Sequence, residues 1–498
     1  MTGLSDGAAS LHVVRIRLSG DAMTQPAQQK FALPTLAAMV VGSMVGAGIF
    51  SLPQTFGRVT GGLGALIAWA IAGGGMLMLA FVFQTLSRRK PELDAGVYAY
   101  AKAGFGNYPG FLSALGYWTV CCLGNVSYWV LIKSTWGALF PILGDGNTVV
   151  AVALSSVGIW VVHFLILRGV REAAFINTVV TVAKIIPILI FLVFVGFAFQ
   201  AGIFAANFDG GPGLEAEGLF AQVRGTMLVT VFVFVGIEGA SVYSRYARKR
   251  SDVGLATVLG FLSVLCLLVL VTMLSYGVLP RPDLAELRNP SMAGVLRAVA
   301  GPWGAVFVSA GLIVSVLGAY LSWSLLAAEV LYSAAKMESM PAFLAVENHN
   351  KVPAAALWLT NILIQLFLVL TLFAEEAFLL ALKLTSSMIL LPYLLTAAYA
   401  LKLAWTGETY AQQPRERNGD LILAALATIY AIGLIYAGGL KFLLLSLVIY
   451  VPGTILFAIA QKERGHRLFT PGETVLFAVA AIGAAVALYG LVTGLIRA

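Results

Sequence analysis

Charge is what this 498-residue chain has least of: Asp, Glu, Lys and Arg together make 11% of it, against 60% hydrophobic residues. Soluble globular chains carry roughly 25% charged residues, so the shortage excludes a water-soluble fold. Apolar segments in this proportion are solvated by lipid or by one another, and the chain reads as an all-α polytopic membrane protein. Its three cysteines, Cys121, Cys122 and Cys266, all lie in apolar runs, which excludes a disulfide framework. The four histidines (His12, His163, His349 and His466) are scattered without metal-ligand spacing, so no metal site is expected. An HExxH pattern, a P-loop and a clustered His/Asp pair are missing too, which argues against an enzyme and against a cofactor. No loop exceeds about thirty residues, which disfavours a receptor with a soluble sensor domain.

What the chain does have is long apolar runs. A span needs about 20 residues to cross roughly 30 Å of hydrocarbon. Thirteen candidates appear, near 32–56, 63–86, 110–140, 149–167, 174–201, 222–244, 254–279, 303–335, 353–373, 377–402, 421–437, 440–461 and 473–496. The eleventh is short and only Gly438-Gly439 divides it from the next, which leaves twelve as an alternative to the preferred thirteen. Residues 1–30 lack an apolar stretch of their own and read as a polar cytoplasmic leader, with Met1 or Met23 as the start.

The formal charge of +8 has a topological origin. Alternate loops hold Arg88-Arg89-Lys90, Arg168 with Arg171, the run Arg245 to Arg250, Lys336 with Lys351, Arg415 with Arg417, and the run Lys462 to Arg467. The opposite loops are poorer in cations: 144–147 and 209–218 are acidic, Glu375-Glu376 follows, and Arg281 and Arg288 are offset by Asp283 and Glu286. Lys and Arg accumulate on the cytoplasmic side, so the N-terminus is expected inside, in the cell inner membrane. A nucleic-acid partner is not needed to explain the charge.

The first span contains "GSMVGAGIF", residues 42–50, with three glycines that each cost a helix about 1 kcal/mol relative to alanine. Gly42 and Gly46 form a GxxxG face that serves close helix packing. A helix broken at the midplane is the other use, because it opens backbone groups to a solute. The sixth span, "VFVFVGIEGASVYS", favours the second use: Gly236 and Gly239 flank the acidic Glu238 in an apolar setting. Two glycine-interrupted spans five apart cross the membrane in opposite senses, the pattern of a transporter built from inverted halves. The free N–H groups of a half-helix start suit a carboxylate, and the free carbonyls of a half-helix end suit an ammonium. Together they suit the two α-groups of an amino acid.

These segments, with "SWSLLAAEVLYSAAKMESMPAFLAVENHNKVPAAALWLTN" and "SSMILLPYLLTAAYALK", resemble the amino acid–polyamine–organocation superfamily, and within it the basic amino acid/polyamine antiporters of the arginine/ornithine type. The resemblance runs from Phe31 to about Lys402 and more loosely beyond. It implies a LeuT-like fold of five plus five helices, with halves near 31–201 and 222–402 and additional helices over 421–498. It further implies exchange of arginine for ornithine, or alternatively proton-coupled import of lysine or arginine or exchange of another amino acid or polyamine, with a homodimer left open. Carried over by position, it implies a substrate backbone site at Met44, Gly46, Ala47 and Gly48. Phe232 and Val235 would add an aromatic gate and carbonyls, Val120, Cys121, Asn125 and Tyr128 a wall. Trp323 would pack on the side chain and Thr385 would give a hydroxyl. Tyr117, Glu238 and Tyr393 would form an inner gate. Ala47 and Phe232 replace a serine and a tryptophan of arginine/agmatine relatives, which argues against agmatine as substrate.

Each of these residues also has a plainer reading. Glu238 at mid-membrane depth marks a pathway or pairs structurally, and Trp323 meets a substrate cation over its indole face or is core. Asn125 equally well bonds across helices. Lys133 and Lys383 are expected to snorkel to the outer interface, and Glu329, six residues past Trp323, to lie off the pocket. Lys184 in the fifth span cannot readily reach water, so its ammonium must find acceptors or give up its proton. The resemblance implies that it stands where LeuT-type relatives hold sodium, as a fixed tether or as a proton carrier.

Overall fold

The computed structural model describes residues 33–93, 96–169, 173–210, 214, 218–238, 250–374 and 376–496. The expected leader over residues 1–30, Arg171, the cations Arg245, Arg248 and Lys249, Gly239, Glu375 and most of the loop 209–218 lie outside them. Among the described residues every regular element is helical. Nine of these helices are long and apolar enough to cross a membrane, and up to eleven if each of two bent pairs counts as one span.

The first pair is α1 (Leu33–Met44) and α2 (Leu52–Gly57), joined by a 3₁₀ turn over Ala47–Ser51 and bent by 49°. Then come α3 (Gly62–Arg89), the short α4 (Val97–Phe105), α5 (Asn107–Gly137), α6 (Val149–Leu167) and α7 (Ala173–Phe197). The short α8 (Ala201–Phe208) turns 99° away from α7. A similar order follows: α9 (Leu219–Phe234), which stops short of the expected span, α10 (Arg250–Ser275), the short α11 (Arg281–Glu286) and α12 (Ser291–Ala300), α13 (Pro302–Lys336), α14 (Ala354–Leu370) and α15 (Ala377–Thr406). Paired by position, the long helices have 28 and 26, 31 and 35, 19 and 17, and 25 and 30 residues. Each set is headed by a helix shorter than a full span, α1 with 12 residues and α9 with 16.

Burial sorts the helices. The apolar stretch of α5 is wholly buried, so it runs through the centre of the bundle, whereas only 17% of that of the last helix, α17 (Pro471–Val492), is covered. Between α15 and α17 lies α16 (Pro414–Glu463), 50 residues that would extend about 75 Å unbroken, more than twice the hydrocarbon thickness. Gly439, at φ 76° and ψ 166°, breaks it. Such a dihedral pair is open to glycine and closed to residues with a Cβ. The half before the break packs its Tyr430 ring onto Gly75 of α3, and the half after it bonds Tyr450 Oη to Met388 O of α15 at 3.2 Å.

Two expectations change. Lys133 does not reach the interface: it is 1% exposed, and its Nζ has no hydrogen-bond partner among the described residues. The cluster Arg88-Arg89-Lys90 is more than a topology signal. Arg89 donates from Nε to Asp420 at 3.0 Å and from Nη2 to Glu416 at 2.9 Å, with its guanidinium 3.7 Å from the centre of the Tyr410 ring. Burial and the neighbouring Asp420 carboxylate push the Tyr410 phenol up to about 12, so it keeps its proton and donates to Asp420 at 3.0 Å. The Arg89 side chain is 5% exposed and that of Arg88 is 56% exposed, although both touch Glu416.

Removing one partner of a buried ion pair costs about 3–5 kcal/mol, and exposed pairs about 0–1. With Asp420 and Glu416 partly open to solvent, Arg89→Ala is expected to cost about 1–3 kcal/mol by that scale. The melting temperature of the detergent-solubilised protein should fall by several degrees in Arg89→Ala and stay within error in Arg88→Ala; equal effects would remove the distinction.

Candidate functional site

The site is built where two helices stop. α1 ends at Met44 and the chain resumes helical form at Ala47, leaving Gly46 extended at φ −119° and ψ −153°. The first N–H groups of a helix and the last carbonyls of one have no partner within it, so this break presents both kinds side by side. α9 ends at Phe234, Val235 turns out to ψ 130°, and Gly236 follows at φ 110°. The two breaks touch each other. The Ser43 hydroxyl lies 3.1 Å from Gly236 O, and a Cβ on Gly236 would sit 2.5 Å from Ser43 O. Only glycine permits that approach.

Lys184 of α7 holds the first break. Its Nζ donates to Gly42 O at 2.5 Å and to Val45 O at 3.0 Å. Gly42 lies in the last turn of α1 and Val45 just past its end, where the helix dipole is negative. The side chain is 3% exposed, so the ammonium is stabilised by the broken helix rather than by water.

Glu238 closes the second break. Its Oε1 accepts from Tyr117 Oη of α5 at 2.8 Å, and its Oε2 accepts from Tyr393 Oη of α15 at 2.7 Å and from Gly236 N at 3.1 Å. One carboxylate thus ties α5, α15 and the end of α9 together, and it is 4% exposed.

A cavity of about 860 Å³ reaches these groups. Gly46, Tyr117, Tyr128, Lys184, Glu238 and Trp323 line it, and it continues to Arg168 at the end of α6 and to His349–Pro353 ahead of α14. Next to it is a space of only about 20 Å³, enough for one water. Met44, Gly46, Ala47 and Gly48 form one side of that space. Val120, Tyr128, Phe232, Val235, Trp323 and Thr385 form the other. The contact between Gly48 and α9 is tight: a Cβ there would meet Val233 Cγ1 at 2.6 Å and Phe232 Cδ1 at 2.8 Å. Beyond it, at the other end of the bundle, a separate cavity of about 300 Å³ is flanked by the ion pairs Arg58–Glu376 and Arg288–Asp145. The centre is therefore open toward Arg168 and Lys351 and shut toward Arg58 and Glu376.

Most of the residues singled out from the sequence converge here. Cys121 and Asn125 line neither space. Cys121 is fully buried, and Asn125 Nδ2 donates to Ser324 Oγ of α13 at 3.1 Å, a bond between helices. Tyr393 reaches the site through Glu238 alone. Thr385 Oγ1 donates to Ala381 O of its own helix at 2.7 Å, which leaves only its lone pairs for a ligand. The sequence reading missed Ser43, Ser322 and Glu329, all of which line the large cavity. Glu329 was measured from Trp323, whereas Ser322, seven residues or two turns before it, is its neighbour on the helix face.

Replacing Lys184 by methionine removes two hydrogen bonds and also the cost of burying an ammonium, so net stability is a poor gauge of its role. Local order is the direct one. In Lys184→Met, amide exchange over residues 42–50 should quicken while α5 keeps its protection; unchanged protection over 42–50 would show that the ammonium does not hold the break.

Comparison with known proteins meets this geometry. The family model described as amino acid permease matches residues 31–495. An arginine/ornithine antiporter of Pseudomonas aeruginosa is 56% identical over 478 residues, 95% of this chain and 99% of that protein. An L-lysine transport protein of Corynebacterium glutamicum is 42% identical, covering 93% of this chain and 95% of its own, and an arginine/agmatine antiporter of Chlamydia pneumoniae is 38% identical over 93% and 97%. With the end of α9 meeting the break in α1, a buried lysine on that break and a match along nearly its whole length, this multi-pass membrane protein belongs to the amino acid permease family.

Proposed function

We propose that this protein exchanges cationic amino acids across the membrane by alternating access, arginine against ornithine. The observation that carries the reading is the contact of the two breaks, which sets the N–H groups at Gly46 to Gly48 near the carbonyl end of α9. The first end takes the α-carboxylate and the second, around Phe232 and Val235, takes the α-ammonium. Trp323, half-buried on the cavity wall, offers its indole face to the side-chain cation, and Thr385, Val120 and Tyr128 complete the pocket. Cys121 and Asn125 act behind this wall. Tyr117, Glu238 and Tyr393 form the inner gate, because the carboxylate joins helices that must separate when the path opens. Lys184 stands in for a bound cation at the α1 break, so transport needs no sodium.

Several coarser features belong to the same reading. The halves 31–201 and 222–402 are inverted repeats, supported by the similar order and length of their helices. Splitting α16 at Gly439, taking each bent pair as one span and counting α9 as a span gives thirteen. The N-terminus is cytoplasmic, the protein sits in the inner membrane, and the large cavity opens inward. A reporter fused after Arg417 should then read as cytoplasmic and one at Ala498 as external; a cytoplasmic signal at Ala498 would favour twelve spans.

A second reading is proton-coupled import of lysine or arginine, favoured by the burial of Lys184 and by the relative named as an L-lysine transport protein. Counterflow separates the two. Proteoliposomes loaded with ornithine should take up labelled arginine without sodium, and empty vesicles should not. In the same assay Lys184→Ala should abolish uptake, and Glu238→Gln should slow turnover more than it weakens half-saturation. Equal uptake by loaded and empty vesicles would rule out obligatory exchange.

A further inference from the structure

Helix α13 lines the large cavity with Ser322, Trp323, Leu325, Leu326 and Glu329. Ser322 and Glu329 share one stripe and are both exposed, although the helix around them is apolar. Glu329 lies seven residues before Lys336, so it is about 10 Å inside the helix end. Carboxylates on a spanning helix that face a cavity mark solute pathways.

Among the described residues two carboxylates line this cavity, and they differ in their partners. The oxygens of Glu238 are engaged by two tyrosines and a backbone N–H. Glu329 accepts one bond, from Ser333 Oγ at 2.9 Å one turn further on, and no ion pair to it is present among the described residues. The other charges on the way in are mostly basic. Arg168 and Lys351 flank the mouth and Lys184 lies deeper on its carbonyls, whereas Lys336, at the end of α13 and off the cavity wall, sits 4.2 Å from the centre of the Tyr332 ring and within electrostatic reach of Glu347 and Glu329. A cation entering from this side meets repulsion at the rim, where Glu347 is engaged by Tyr332, and among the residues that line the cavity Glu329 is the carboxylate left to offset it. Along the helix axis it lies about 9 Å from Trp323, close to the reach of an extended arginine side chain.

We propose that Glu329 is a staging acceptor for the side-chain cation of a dibasic amino acid, between the cavity mouth and the central site. The inference rests on the reading of this protein as a cationic amino acid exchanger. It makes Glu329 a specificity residue for one face of the membrane only. A guanidinium or primary ammonium pairs with the carboxylate, Ser333 holds the carboxylate toward the path, and the substrate then moves inward until Trp323 takes over the cation. A neutral side chain of the same length gains nothing at this step.

The test uses the full-length protein in proteoliposomes of known orientation, with half-saturation measured separately from each face. In Glu329→Gln the value for arginine on the face that bears Arg168 and Lys351 should rise about threefold to fivefold, the scale of a solvent-exposed ion pair. The value on the opposite face should not change. Glu329→Asp should restore most of the loss, and citrulline, whose ureido group is neutral, should compete equally well with wild type and Glu329→Gln. Melting temperatures should agree, since the side chain is exposed. No change in Glu329→Gln, or an equal change on both faces, would overturn the proposal while leaving the exchange reading intact. Failure of the wild type to exchange arginine for ornithine would remove both.

Discussion

The structure depends on one arrangement: an ammonium from α7 bonded to the carbonyls that α1 leaves open where it stops. A helix cannot end at mid-membrane without exposing polar backbone, and in hydrocarbon each such group is costly. Lys184 meets two of these carbonyls at Gly42 and Val45, and their negative dipole end in turn meets the cost of burying the charge. Without that exchange the Gly46 break would be an expensive defect. With it, the break is a fixed feature, and Gly46, Ala47 and Gly48 on its far side line the small space against α9.

The second break uses the opposite sign. Glu238, an acid, gathers two phenols and a backbone N–H, so its oxygens are met by donors from three segments. The two devices are joined through Ser43 and Gly236, whose backbones approach too closely for any side chain at position 236. A shift of α9 relative to α1 therefore reaches both the cation and the anion. On one side of this junction Phe232 and Val233 press on Gly48 and leave room for a single water. On the other side the cavity runs open to Arg168 and Lys351. One closed and one open path is the geometry of a single stage in an alternating cycle.

Much of this was legible from residue patterns because lipid leaves few options. Gly46 and Gly48 alone fit helix packing as well as a break; what signalled broken helices was the second glycine-bearing span five further on, with the acid Glu238 beside Gly236. Lys184 was legible for the same reason. Lys133 was misjudged because position along a span does not reveal whether a side chain points to lipid or core; α5 is buried all round, so snorkelling has no exit there. Glu329 shows the limit of helical phase read from one reference residue. A change of reference from Trp323 to Ser322 turns Glu329 from the far face to the cavity wall. The ion pairs of Arg89 with Glu416 and Asp420 were hidden too, because loops far apart in sequence meet only once the helices between them are packed.

The central claim is that the two breaks form a single two-poled site. The most direct measurement is a cryo-electron microscopy map of the protein with arginine bound in sodium-free buffer. The account predicts the α-carboxylate against the N–H groups of Gly46 to Gly48, the α-ammonium against carbonyls at the end of α9, and the guanidinium beside Trp323. Arginine density seated elsewhere, with its carboxylate on Arg168 or Lys351 and the breaks unoccupied at saturating substrate, would contradict it.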